Sequence, residues 1–102
     1  MTRIGDETVH GFRHGRKSAV GTTAVQLTTA AAHQSKGVQL KADAANSGTV
    51  YVGNSNVTAG TTDATDGFPL AGGEGLFVPV DDPSKVYVIG SAAGQNVFWF
   101  AL

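Results

Sequence analysis

Val38-Gln39-Leu40-Lys41-Ala42-Asp43, then Asn46-Ser47-Gly48, then Thr49-Val50-Tyr51-Val52-Gly53 is the stretch that decides the fold class. In the first run Val38, Leu40 and Ala42 alternate with Gln39, Lys41 and Asp43, the period of a strand with one buried face. Asn and Gly both tolerate positive φ, so Asn46-Ser47-Gly48 reads as a turn. Beyond it Val50 and Val52 face one way and Tyr51 the other, and Gly53-Asn54-Ser55-Asn56 ends the strand. Residues 38–52 are therefore expected to form a β-hairpin or two adjacent strands.

The same period recurs on both sides. Upstream, Val25 and Leu27 alternate with Gln26 and Thr28. Between these strands Ala30-Ala31-Ala32 suits a helical turn but is too short for a stable helix. Downstream, residues 58–67 form the longest polar stretch and are expected as an exposed loop. Phe68-Pro69-Leu70 returns to the core. Leu76, Val78 and Val80 then alternate with Phe77 and Pro79, and Pro79 places that strand at an edge because it donates no ladder hydrogen bond. Asp81-Asp82-Pro83-Ser84 is a turn, Lys85 to Ile89 a strand, and Ala92-Ala93-Gly94-Gln95 a turn into a last strand from Asn96. Six or seven short strands at this spacing predict an all-β fold, a small β-sandwich or jelly-roll-like barrel, over residues 18–102.

Composition agrees with that class. The chain has 102 residues, 14 of them Gly, with 15% charged and 41% hydrophobic residues, too apolar for a disordered chain. Leu, Glu and Lys are too few for a helical bundle. The length allows one domain, and it holds no cysteine to staple so small a core, which leaves oligomerisation as the common source of added stability. No run approaches the roughly 20 apolar residues of a membrane-spanning helix. Residues 1–17 are polar and Gly-rich, without the apolar stretch of a signal peptide, so neither export nor a membrane partner is expected. Asn56-Val57-Thr58 then reads as a loop rather than a glycosylation acceptor.

Charge is uneven. Arg3, Arg13, Arg16 and Lys17 against Asp6 and Glu7 give residues 1–17 a balance of +2; Lys36, Lys41 and Lys85 against Asp43, Asp63, Asp66, Glu74, Asp81 and Asp82 give the remainder −3. The reading is an extended basic arm over 1–17 on an acidic body, with Ile4, Val9 and Phe12 spaced as anchors for a partner surface. At the other end Val97, Phe98, Trp99, Phe100, Ala101 and Leu102 are apolar on both faces of one strand. One face suffices for the internal core, so Phe98, Trp99, Phe100 and Leu102 are expected to form an oligomer interface.

No motif for catalysis emerges, and the chain is expected not to be an enzyme. His10 and His14 would align as ligands only on a helix, which a Gly-rich arm disfavours, and His33 stands apart; no metal is expected. Asp63-Ala64-Thr65-Asp66-Gly67 lacks the alternating oxygen ligands of a calcium loop. Gly72-Gly73-Glu74-Gly75 opens no helix, is followed by no Lys-Ser/Thr, and carries a carboxylate that repels phosphate. No cofactor is expected. Arg13-His14-Gly15-Arg16-Lys17 is one basic cluster without interleaved aromatics, so nucleic acid is not the expected partner.

Several runs carry a likeness: Gly37-Val38-Gln39-Leu40-Lys41-Ala42, Asn46-Ser47-Gly48-Thr49-Val50-Tyr51-Val52-Gly53, Gly67-Phe68-Pro69-Leu70 and Val80-Asp81-Asp82-Pro83-Ser84-Lys85-Val86-Tyr87-Val88-Ile89-Gly90-Ser91-Ala92-Ala93-Gly94-Gln95. Over about residues 37–98 they resemble small β-sandwich or jelly-roll structural proteins of tailed bacteriophages, some of which are capsid decoration (cement) proteins. The resemblance implies a virion protein on the capsid surface, assembled in the host cytoplasm, that reinforces capsomer junctions as a homotrimer bound to the major capsid protein. It offers no catalytic residue to carry over. The arm lies outside it; Arg3, Ile4, Phe12, Arg13, Arg16 and Lys17 are expected to contact the shell. A head-tail adaptor, or a tail or fibre module binding a host receptor or glycan through loop 58–67 and Tyr51, is the alternative.

Overall fold

The computed structural model describes residues 12–29 and 36–102. Eight strands run through them in two four-stranded antiparallel sheets packed face to face: β1 (Arg13–Val20), β2 (Val25–Gln26), β3 (Val38–Ala42), β4 (Val50–Gly53), β5 (Phe68–Leu70), β6 (Gly75–Val78), β7 (Tyr87–Gly90) and β8 (Gln95–Ala101). Sheet I has the order β1-β8-β3-β6 and sheet II the order β2-β7-β4-β5. With six of the seven connections crossing between sheets, all but β4–β5, and the first and last strands adjacent, this is the jelly-roll arrangement. The expected all-β sandwich is what the chain forms. Among the described residues the only helical element is a single 3-10 turn, Pro83–Lys85.

The run that announced the fold does not form a hairpin. β3 pairs with β6 and β8, whereas β4 pairs with β5 and β7, so residues 43–49 carry the chain from one sheet to the other. Both strands bring an apolar face, Val38, Leu40 and Ala42 on one and Val50 and Val52 on the other, and all five side chains are buried. Facing each other across the sandwich buries both sets, which edge-to-edge pairing alone cannot do. Val20, Leu27, Leu70, Val86, Val88, Val97, Trp99 and Ala101 complete this core.

Two side chains fasten the crossing. Gln95 is fully buried at the start of β8; its Oε1 accepts from the Gly48 N–H at 2.9 Å, and its Nε2 donates to Ser47 Oγ at 3.1 Å and to the Ala93 carbonyl at 2.9 Å. Asn46 mimics a neighbouring strand, its Nδ2 donating to the Asn96 carbonyl (3.0 Å) and its Oδ1 accepting from the Asn96 N–H (2.8 Å). A buried amide is tolerated only when its donors and acceptor are met, and here they are.

The eighth strand is β1, which the composition concealed as an arm. Residues 13–17 pair with β8 in register, Arg13 with Ala101, Gly15 with Trp99 and Lys17 with Val97, before a bulge toward Val20 in which Ala19 takes a φ of 56°. The arm therefore cannot extend through Lys17 as a separate unit: its last five residues are the edge of sheet I. Arg13, Arg16 and Lys17 on that edge discourage pairing with another chain's strand. Pro79 follows directly after β6, at the opposite edge of the same sheet. No helix among the described residues is long and apolar enough to cross a membrane.

Candidate functional site

The two outer faces of the sandwich are finished differently. On sheet II, Tyr51 and Ile89 point outward but are buried, because the β4–β5 connection folds back and lays Val57 and Ala59 over them. Tyr51, a working-surface residue in the alternative receptor- or glycan-binding reading, is 8% exposed and belongs to this second small core. On sheet I the outward positions carry large apolar side chains in the open: Phe12 is 64% exposed, Phe77 45%, Phe98 43%, Phe100 37% and Leu102 53%.

Register explains how these residues meet. β8 is central in sheet I, and its alternation sends Val97, Trp99 and Ala101 inward and Phe98 and Phe100 outward. Across the sheet His14, Phe100, Gln39 and Phe77 form one row, and Arg16, Phe98, Lys41 and Gly75 form the next. Phe12 packs edge-on against Phe100, with ring centroids 6.0 Å apart, and also meets the His14 ring at 6.4 Å. The Arg16 guanidinium lies over the Phe98 ring, 5.7 Å from its centroid. A shallow groove of about 460 Å³ runs among Phe12, His14, Gln39, Lys41, Phe98 and Phe100. Exposed aromatic rings beside an Arg are the residue types enriched at the centres of protein–protein contacts. Such a face binds by desolvation and cation–π contact.

The residues expected to act separately are regrouped by the fold. Phe12 and Arg16, assigned to an arm, share one face with Phe98, Phe100 and Leu102, assigned to an oligomer contact. Arg13 and Lys17 take the alternate, inward-turned positions of β1 at the open edge of the sandwich. Trp99 does not lie on the aromatic face: it is 8% exposed within the core, its indole so close under Gly15 that a Cβ there would approach Nε1 to 2.9 Å. Arg3 and Ile4 lie outside the described residues, as do His10, His33 and the run Ala30-Ala31-Ala32. Phe77 and Lys41 join the face although neither was singled out. The signal for Phe77 was available, since an aromatic residue stood at the outward position between inward Leu76 and Val78.

Elsewhere several polar groups fasten loops and turns. Asp66 Oδ1 accepts from Thr58 Oγ1 at 2.7 Å, and its Oδ2 from the Thr62 and Asp63 N–H groups at 2.8 Å each. The Thr58 hydroxyl and these backbone donors hold its carboxyl below the usual Asp value. That carboxylate fastens its own loop. Among the described residues no three His, Cys, Asp or Glu side chains gather as metal ligands. Asp82 Oδ1 caps the 3-10 turn by accepting from the Ser84 N–H at 2.8 Å. Lys85 and Asp81 form an exposed ion pair at 2.9 Å that lifts the Lys85 ammonium above its ordinary value.

Comparison with family models, curated proteins and solved structures finds no match to this chain.

Proposed function

We propose that this chain is a structural attachment protein of a virion, a small jelly-roll domain that self-associates through the outer face of sheet I and decorates an outer capsid surface. The observation that carries the reading is the exposed aromatic face of sheet I, set against the loop-covered centre of sheet II. A chain that buries Tyr51 and Ile89 under a loop leaves Phe12, Phe77, Phe98, Phe100 and Leu102 open to water. At about 200 Å² for a fully exposed aromatic side chain, the five present roughly 450–500 Å². That is the apolar centre of an interface burying about 800 Å² per partner. Two further points support the reading: jelly rolls recur in capsid proteins, and residues 37–98 resemble phage structural modules.

Three-fold association suits the face better than a two-fold pair. Stacking two copies face to face brings both sets of Arg16 and Lys41 onto one shared surface, where like charges repel. A cyclic trimer sets the face of each copy against a different surface of the next. Contact with the major capsid protein then falls to Arg3 and Ile4 ahead of β1 and to Arg13 and Lys17 at its open edge. Each contact is modest, and repetition over a shell of identical seams makes the sum strong.

The test removes residues 1–11, which leaves β1 intact, and adds the purified chain to undecorated shells of the parent phage. The truncated protein is expected to keep its oligomeric state and lose shell binding; decoration at full occupancy would overturn the assignment. Labelling spread over the whole shell separates a decoration protein from an adaptor or fibre component, which would label one vertex.

A further inference from the structure

The loop that covers sheet II also builds a cleft unrelated to the aromatic face. Residues 54–67 leave β4 and return to β5, and between them opens a space of about 290 Å³ whose lining includes Gly53, Asn54, Asn56, Thr65, Gly67 and Phe68. Its floor is bare backbone for a steric reason. A Cβ on Gly67 would lie 2.8 Å from the Val52 carbonyl oxygen and 2.6 Å from Val57 Cγ2, and one on Gly53 would lie 2.7 Å from the same methyl. Its walls are fixed from within: the Thr58 N–H donates to the Thr65 carbonyl at 3.1 Å, the Gly67 N–H to the Thr58 carbonyl at 3.0 Å, and the two threonine hydroxyls meet at 2.9 Å. A cleft held open by its own hydrogen bonds costs little ordering when a ligand enters.

The chemistry of the lining narrows the ligand. The Phe68 ring stands at the mouth on edge strand β5 and is 57% exposed. Exposed Asn54 and Asn56 bring side-chain amides, and Thr65 a hydroxyl. Asn54 Oδ1 accepts from the Asn56 N–H at 3.3 Å, while neither NH₂ group donates to another described residue. Among the described residues no Lys or Arg lines the cleft, and Asp66 does, so it does not suit a phosphate or carboxylate. Its polar lining does not suit a lipid chain. A sugar ring is the complementary object: one face of C–H groups to lie on an aromatic ring, and a rim of neutral hydroxyls to pair with amides.

We propose that this cleft binds one ring of a neutral carbohydrate, with Phe68 as the stacking surface and Asn54 and Asn56 as hydrogen-bond partners. The inference is independent of the attachment face, and the two succeed or fail separately.

The experiment titrates the full-length, isotope-labelled chain with glucose, galactose, mannose and N-acetylglucosamine at millimolar concentrations, and with a tetrasaccharide of each, following backbone amide NMR shifts. Saturable shifts confined to residues 53–57 and 65–68 are expected for at least one sugar. Phe68→Ala and Asn56→Ala, both at exposed positions, should each weaken that binding, Phe68→Ala by about tenfold. Phe98→Ala should leave it unchanged. Tighter binding of the tetrasaccharide assigns the cleft to a surface glycan, and equal binding to a free sugar. No saturable shift with any sugar, shifts elsewhere on the domain, or binding indifferent to both cleft variants would overturn the proposal.

Discussion

Gln95→Leu replaces the buried amide that ties β8 to the inter-sheet crossing with an apolar side chain of comparable bulk. Three hydrogen bonds disappear, but they do not weigh equally. Ser47 and Ala93 are exposed, so water takes over their hydroxyl and carbonyl. The Gly48 N–H is half-buried and loses its acceptor. One unsatisfied backbone donor costs about 1–3 kcal/mol, which sets the scale of the loss. For a domain of this size each kcal/mol lowers the melting midpoint by about 4–8 °C. Urea unfolding followed by circular dichroism, with thermal melts alongside, should show a loss of about 1–3 kcal/mol at unchanged denaturant slope. Gln95→Glu should also be destabilising, because it places an ionised carboxylate at a fully buried position with no cation beside it among the described residues. A Gln95→Leu protein within about 0.5 kcal/mol of wild type would refute the reasoning, since it would mean the Gly48 N–H finds another partner at no cost.

Asp66 has a folded-state pKa below its unfolded value of about 3.9, so its contribution is complete above that pH and is lost as pH falls through the folded value. The Thr62 and Asp63 amide resonances should titrate with a midpoint below the ordinary Asp range; a midpoint above about 4 would contradict the hydrogen-bonded geometry. Ala19 holds a φ of 56°, which costs a side-chain-bearing residue about 1–2 kcal/mol, partly offset in glycine by greater unfolded-state entropy. Ala19→Gly should therefore leave stability unchanged or raise it by up to about 1 kcal/mol, measured by urea unfolding. Gly94, at φ 82° with open space around its Cβ position, should show the reverse: Gly94→Ala destabilises through the backbone alone, by about 1 kcal/mol.

Strand positions were legible because a period of two and Gly/Asn/Pro punctuation report local geometry. What escaped was non-local. Nothing in residues 38–53 distinguishes a hairpin from two strands packed face to face; Gln95 and Asn96, some 50 residues away, fasten the crossing. β1 was hidden because Arg13-His14-Gly15-Arg16-Lys17 has the composition of a solvated arm. It is a strand because β8 offers it a ladder, and because Gly15 leaves room for Trp99 beneath. The aromatic character of the last strand was plain, but which ring faces out depends on register. Trp99 was therefore grouped with Phe98 and Phe100 before the sheets showed it turned inward. The 58–67 loop read as an unanchored polar stretch, since its anchors, Val57 and the Asp66 clasp, are a neighbour in sequence and a tertiary hydrogen-bond set.

The central claim is that the outer face of sheet I is a contact surface, and the solution mass of the protein across a concentration series tests it most directly. Light scattering should give a mass of about three 10.4 kDa chains for the wild type, falling to one chain for Phe98→Ser/Phe100→Ser with Trp99 fluorescence still that of a buried indole. A wild-type protein that stays monomeric at every concentration, or a double variant that associates as well as the wild type, would contradict the account.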